Sequence, residues 1–462
     1  MIFQQFYLES LGHASYFIGS ESSGEALVVD ARRDVEIYFD EARKQGMRIR
    51  YAIDTHQHND YVSGIRELVS RGGAEILAGT VATLGYDARK LSDGEKVIMG
   101  EVVIEAIHTP GHTPEHMCLL LTDLSRGDVP AMLLSGGLLL VGDVARPDLY
   151  GGAERTASNA RDLFHSLHDK VLKLPDHVEV CPTHVAGSLC GGNIGSRLTT
   201  TIGYERKVNR WLHIDDAGEF VSASLKKDNL PSVPPYWTHM RKINQDGPPL
   251  LGVLGEPPAL SVKGFDRLRE EGVHILDCRS PEAFAAHIPG ALHAGWGSSF
   301  ATWAGTVLPF GAPYMLVLQR SQDLWDVCRA LLRIGYGLPT GWLAGGMHEW
   351  RSSGKDIEII RQWTVRDLSN EIKRQEDLFV LDVRQPKEWA AGHIDGAVHI
   401  TGAEVSDRLG EIPRNRAVAV VCGSGYRSSA VASILKSRGY GQVYNVLGGM
   451  SAWRKSGFKT VK

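Results

Sequence analysis

Six cysteines are all that 462 residues contain, and they stand at 118, 181, 190, 278, 328 and 422 with no framework spacing. Disulfide scaffolding is excluded as the organising device, and any special cysteine reads as reactive rather than bridged. Charge of one sign is also lacking, because 50 basic residues face 54 acidic ones for a net charge of −4. That balance leaves no electrostatic footprint for nucleic acid or an anionic membrane surface. Long apolar runs are missing as well. The run from Met132 to Val141 is broken by Gly136-Gly137 and falls far short of the ~20 residues that cross a bilayer. The opening MIFQQFYLES has no basic, then apolar, leader pattern. These absences lead to the expectation of a cytoplasmic protein with neither nucleic acid nor membrane as partner, and they leave self-association open.

What is present is globular. A hydrophobic share of 43% beside 23% charged residues excludes disorder, a coiled coil and a collagen-like chain. At roughly 150 residues per domain, the length suggests about three domains. Residues 231–258 hold seven of the 20 prolines. Because proline fixes φ and removes a donor, this stretch is expected to be neither helix nor central strand, but a semi-stiff linker. It would separate a domain at 1–230 from domains at 259–358 and 359–462.

Those last two are copies of each other. Leu276-Asp277-Cys278-Arg279-Ser280-Pro281 recurs 105 residues later as Leu381-Asp382-Val383-Arg384-Gln385-Pro386. His287-Ile288-Pro289-Gly290-Ala291 returns as His393-Ile394-Asp395-Gly396-Ala397, and Gly345-Gly346-Met347 with Trp350 returns as Gly448-Gly449-Met450 with Trp453. Each copy alternates β-branched runs, such as Phe379 to Val383 and Val418 to Val421, with helical patterns such as Ser428 to Arg438. Strand–helix alternation predicts an α/β fold with a mostly parallel sheet. The first domain instead mixes helices with hairpin-like pairs, among them Ala131 to Val141 about its two glycines, and predicts an αββα sandwich.

Four strand ends in the first domain carry metal-ligand types. They are Thr55-His56-Gln57-His58-Asn59-Asp60-Tyr61, Thr109-Pro110-Gly111-His112-Thr113, Gly142-Asp143 and Pro182-Thr183-His184. Any one histidine is better read as a core or surface residue. Four loops on separate strands, one of them packing two imidazoles and a carboxylate into five residues, read as a preorganised divalent-metal site.

This pattern resembles the metallo-β-lactamase superfamily over residues 1–215, with its THxHxDH motif and its later GH, GD and His. Tyr61 departs from it, standing where two-metal hydrolases of that superfamily have a histidine of the second site. Together with Gly142-Asp143-Val144-Ala145-Arg146-Pro147-Asp148, the set is most similar to the persulfide dioxygenases. The resemblance implies one Fe(2+) per chain, held by His56, His112 and Asp143 as a two-histidine, one-carboxylate triad with open positions. It places His58, Asp60 and His184 behind those ligands as orienting or proton-carrying groups. Cys190 is read either as a thiol near the iron or as a small buried hydrophobe. Cys118 and Cys181 are read as inert, and Arg146 and Tyr150 as weak candidates for gripping substrate.

In the second copy, Cys422-Gly423-Ser424-Gly425-Tyr426-Arg427-Ser428 joins a strand to a helix. A cysteine at a helix N-terminus meets backbone N–H groups and the positive end of the dipole, which favour thiolate. Gly423 and Gly425 let Ser424, Tyr426 and their neighbours curl into an anion-binding nest, and Arg427 can steer an oxyanion. The loop is similar to the CxxGxR loop of the rhodaneses, and Leu381 to Ala397 matches the same family. In the first copy, an ungapped alignment puts Leu318 at the position of Cys422 and Asp323 at that of Arg427, with no glycine between. That copy is read as catalytically silent.

Taken together, the resemblances imply oxidation of a small persulfide, such as glutathione persulfide, by O₂ to sulfite, coupled to sulfur transfer through a Cys422 persulfide that forms or consumes thiosulfate. Such chemistry belongs to sulfur metabolism and sulfide detoxification. A zinc-dependent thioester or glyoxalase II-like hydrolase with a fused sulfurtransferase is the alternative.

Overall fold

The structure, a computed structural model, describes residues 1–226, 230–374 and 377–462. Two compact units emerge. One takes the residues up to 226 together with Trp237–Val253, and the other takes Leu230–Tyr236 and Leu254–Lys462. Among the described residues, no helix is long and apolar enough to cross a membrane.

The first unit is built on two six-stranded sheets. One runs in the order Ile2–Leu8, His13–Ser20, Glu25–Val29, Arg48–Ile53, Glu75–Gly79, Arg89–Leu91. The other runs Thr200–Thr201, Glu179–Pro182, Met132–Gly136, Met117–Asp123, Val102–His108, Lys96–Met99. Side chains of period two decide the layering. Tyr16, Ile18, Leu27 and Val29 of one sheet meet Ile104, Leu119, Leu121 and Leu134 of the other in a shared core. The alternate residues Phe17, Val28 and Ala52 face helices Glu36–Gln45 and Ile65–Gly72. On the opposite side, Cys118, Leu120, Leu133 and Val180 face Leu163, Phe164 and Phe220. Helix, sheet, sheet, helix is the αββα order. Each fully buried Leu, Val or Phe stabilises it by roughly 1.5–3 kcal/mol.

Two local expectations change. Ala131 to Val141 is not a hairpin, because Met132–Gly136 pairs with Met117–Asp123 and Glu179–Pro182, while Leu139–Leu140 pairs with Asp143–Val144. The two glycines serve close approach instead. A Cβ on Gly136 would sit 2.5 Å from His116 Nε2, and one on Gly137 would sit 2.5 Å from His112 Cδ2. The proline-rich stretch, expected to lack helix, contains helix Trp237–Asp246. Its prolines flank a free run from 236 to 247, which is long enough for three turns. That helix belongs to the first unit rather than to a linker. The expected boundary at 230 adjoins residues 227–229, which lie outside the described residues.

The second unit contains two five-stranded parallel sheets with one strand order. The first runs Ala259–Leu260, Gly341–Leu343, Tyr314–Val317, His274–Asp277, Leu292–His293. The second runs Arg361–Trp363, Val443–Val446, Ala417–Val421, Leu378–Asp382, Val398–His399. The repeated Leu-Asp-x-Arg block has a structural task in both, closing a buried bidentate pair. Arg279 grips Asp277 and Arg384 grips Asp382, each with Nη2 2.6 Å from a carboxylate oxygen.

Candidate metal centre and sulfur-transfer loop

Asp30, at the end of strand Glu25–Val29, organises the first site. It has a positive φ of 55° and is fully buried. Its carboxylate accepts from Thr55 N at 2.6 Å, from the Thr55 hydroxyl at 2.9 Å and from Thr183 Oγ1. His58 Nε2 lies 3.0 Å from the same carboxylate. Burial opposes charge on both partners, yet their pairing prevails: Asp30 is held below its usual range and His58 is raised to about 9. His58 is therefore committed to Asp30.

Hydrogen accounting around the other histidines gives the tautomers. Thr55 spends its proton on Asp30, so its oxygen accepts from His56 Nδ1–H at 2.9 Å and His56 Nε2 is left bare. His112 Nδ1–H donates to the Arg146 carbonyl at 3.1 Å, and its buried Nε2 has no hydrogen-bond partner. His184 Nδ1 faces Asp60 at 3.5 Å and Ser188 Oγ at 3.4 Å, and its Nε2 stands 3.2 Å from His56 Nε2. Ligand nitrogens of His56, His112 and His184 all lie within 4.8 Å of one another. Burial drives His112 down to about 4 and His56 and His184 well below the usual value. His112 Nε2 has no partner, and the His56 and His184 Nε2 atoms have only each other; three neutral imidazoles converging on one buried spot fit a divalent cation.

Of the expected trio, His56 and His112 group with His184. Asp143, on Asp143–Val144, is buried with Oδ1 bound by Trp211 Nε1–H at 2.8 Å and Oδ2 by Asn193 N–H at 2.6 Å, and it stands outside the cluster that takes in His184. Asp60, buried and pushed up to about 6 by that burial, groups with His58 and His184. Tyr61 is fully buried between two imidazoles, its ring 4.2 Å from His13 and 4.5 Å from His58, with its hydroxyl donating to the Asp30 carbonyl at 3.2 Å. Cys190 is fully buried, its thiol pushed well up by that burial, and its sulfur faces Asn59 Oδ1 at 3.9 Å. Arg146 is tied to Asp148 at 2.8 and 3.0 Å, and Tyr150 lies under Arg241 at 3.7 Å.

Sequence reasoning passed over several residues here. Asn244, on the helix mistaken for linker, clamps the histidine loop: its Nδ2 donates to the His58 and Tyr61 carbonyls, both at 2.8 Å, and its Oδ1 accepts from Ser63 N at 2.9 Å. His116, buried and pushed down to about 3 by that burial, accepts from Gly137 N–H at 2.9 Å and is structural. Only Asp30 had a local signal, a carboxylate ending an apolar strand.

In the second unit, Cys422 follows strand Ala417–Val421 and precedes helix Tyr426–Ser437. Its sulfur accepts from Gly425 N–H at 3.1 Å and lies 3.3 Å from Ser428 Oγ. Gly425 sits at φ 108°, which turns its amide inward. Met450 N–H and Ser451 N–H bind the Cys422 and Gly423 carbonyls, and Gly448 N–H binds that of Ser424. The repeated glycine pair permits this, since a Cβ on Gly449 would lie 2.2 Å from the Cys422 carbonyl oxygen. Arg427 makes a bidentate pair with Glu388 at 2.6 and 2.7 Å. The Tyr426 hydroxyl donates to the Gly295 carbonyl of the first copy at 2.5 Å. In that copy, Leu318 follows strand Tyr314–Val317 and Arg320 pairs with Asp323.

Residues 10–184 match the metallo-beta-lactamase superfamily, and residues 262–353 and 364–456 each match the rhodanese-like domain. A crystal structure of a metallo-beta-lactamase from Staphylococcus aureus superposes with a TM-score of 0.66 at 30% identity, covering 74% of this chain and 98% of that one. The chain is a metallo-β-lactamase superfamily protein carrying two rhodanese-like domains. Its metallo-β-lactamase domain is similar to the bovine mitochondrial persulfide dioxygenase ETHE1, 28% identical over 225 residues that span 47% of this chain and 77% of that protein. A sulfurtransferase of Allochromatium vinosum is 37% identical over 103 residues, 22% of this chain and 96% of that protein. The metal-type cluster thus lies in the metallo-β-lactamase domain, and Cys422 lies in the second rhodanese-like domain.

Proposed function

We propose that the metallo-β-lactamase domain is a mononuclear Fe(II) persulfide dioxygenase and that Cys422 of the second rhodanese-like domain transfers sulfane sulfur. The observation that carries the first half is the convergence of three buried imidazoles on one spot, with Tyr61 standing where the resemblance places a histidine in two-metal hydrolases. In this reading, His56, His112 and His184 hold the iron. The net reaction is R–S–SH + O₂ + H₂O → R–SH + SO₃²⁻ + 2H⁺. Ferrous iron, when bound, supplies the one-electron chemistry that O₂ needs to react with a closed-shell sulfur anion. The chain's own residues preset the tautomers: Asp30 through Thr55 for His56, and the Arg146 carbonyl for His112. Tyr61 occupies the space between His13 and His58.

At the other site, the Cys422 thiolate attacks the outer sulfur of thiosulfate. The S–S bond breaks, sulfite leaves with the electron pair, and Cys422 holds a persulfide anion beside the Gly425 amide. The same step runs backwards when sulfite is abundant. Silent residues at 318 and 323 confine this chemistry to one copy.

A second reading is favoured by the donor set. Three imidazoles without a carboxylate also suit Zn²⁺, which would make the domain a thioester hydrolase. Metal analysis of the purified full chain, joined to an oxygen electrode with glutathione persulfide, separates the two. Stoichiometric iron with O₂ uptake supports the dioxygenase; zinc with thioester cleavage and no O₂ uptake would replace it.

A further inference from the structure

Behind Cys422 runs a chain of side-chain hydrogen bonds whose direction is determined by a backbone carbonyl. Gln362 Nε2–H donates to the Ile360 carbonyl at 2.9 Å, which turns Gln362 Oε1 toward Asn445. That oxygen accepts from Asn445 Nδ2–H at 2.7 Å, which turns Asn445 Oδ1 toward Ser428. Asn445 Oδ1 then accepts from the Ser428 hydroxyl at 2.6 Å. Asn445 and Ser428 are both fully buried, so no water substitutes for a missing partner. A serine hydroxyl has one proton. Ser428 Oγ is placed to donate both to Asn445 Oδ1 at 2.6 Å and to Cys422 Sγ at 3.3 Å; its single proton serves the shorter contact, which leaves lone pairs toward Cys422 Sγ. This arrangement matches a thiol, whose S–H can donate to Ser428, and mismatches a sulfur anion.

We propose that Gln362 and Asn445 are positioning residues that hold the Ser428 proton away from the Cys422 sulfur in the resting thiol and yield it when that sulfur becomes an anion. The hydroxyl proton is thereby withheld from the resting sulfur, and the anion, once formed, gains that donor in addition to the Gly425 amide and Arg427. Turning the hydroxyl leaves Asn445 Oδ1 unpaired in the interior, so the amide sets the cost of activation. The charged groups that face the loop are Arg427, on its own helix, and Glu388, from helix Pro386–Ala390. Tyr426, on the same helix as Arg427, gives its hydroxyl proton to Gly295. Strand Val443–Val446 contributes the neutral Asn445. The proposal rests on the reading of Cys422 as the sulfur-accepting thiol.

The test measures Cys422 ionisation in the full-length protein by ultraviolet thiolate absorbance against pH, with the Cys422→Ser protein as the blank. Thiosulfate sulfurtransfer over the same pH range is recorded beside it. Asn445→Ala removes the acceptor, and Gln362→Leu frees Asn445 to turn its amide toward Ser428. Each should lower the Cys422 ionisation midpoint by about 0.5–1 pH unit, the size of one neutral hydrogen bond. In a Ser428→Ala background, both substitutions should leave the midpoint unmoved. A midpoint unchanged in both variants overturns the proposal, and so does a shift that persists without Ser428. If Asn445→Ala fails to fold, the half-buried Gln362→Leu carries the test alone. Absence of sulfurtransfer in the wild-type chain would refute the reading of Cys422 while leaving the ionisation measurement intact.

Discussion

His184 and Asp143 are where local pattern and geometry part. His184 follows strand Glu179–Pro182 and Asp143 opens strand Asp143–Val144, and the family resemblance favoured the carboxylate. In the folded chain, however, Asp143 is bound by Trp211 and Asn193, while His184 brings its Nε2 to within 3.2 Å of His56 Nε2. His184→Ala is accordingly expected to lose most of the bound metal, and Asp143→Ala to retain more of it. Metal content of the purified variants checks this, and the reverse order would return the ligand role to Asp143. Tyr61→His should open the second position, raising metal stoichiometry from one toward two per chain; an unchanged ratio would show that Tyr61 is not what closes it.

Helix Trp237–Asp246 shows how an element can serve a site that its sequence does not announce. Its Asn244 alone binds two carbonyls and one amide of the histidine loop. Asn244→Ala leaves those buried groups unpaired, at about 1–3 kcal/mol, and lets His58 and its neighbours drift. Metal affinity should fall about 10–100-fold, as read by competition with a chelator, and the thermal midpoint should drop. Strand Glu358–Ile359 makes a second case, joining the two rhodanese-like domains electrostatically. Glu358 is held down to about 2 from an ordinary 4.5 by His287, its Nε2 3.4 Å away, and by Lys436, 3.0 Å away. A depressed carboxylate stabilises the fold above its unfolded value, and that contribution is lost as pH falls through the window from 4.5 to about 2. Glu358→Gln should therefore be less stable than wild type at pH 7 in urea denaturation, with the gap closing through that window. A gap independent of pH would mean that Glu358 acts through packing.

Across the whole chain, the two proposed chemistries are assigned to separate cores and separate residues. Cys422→Ser should abolish thiosulfate sulfurtransfer and leave persulfide-dependent O₂ uptake largely intact. Chelation should do the opposite, ending O₂ uptake while sparing sulfurtransfer. Loss of both activities in either experiment would show that the sites depend on one another.

The amino-acid order alone was enough for the layered first domain, the duplication and the glycine-flanked Cys422 loop. Each of these is written in contiguous residues: side-chain alternation, repeated blocks, or glycines beside a cysteine. Folding supplied what no contiguous stretch encodes. Asp30, Thr55 and Thr183 meet across 153 positions, Asn244 reaches His58 across 186, and Asn445 reaches Gln362 across 83. Which imidazole completes a ligand set, and which way a serine proton points, depends on distances between such remote residues. Those distances exist only once the sheets have packed.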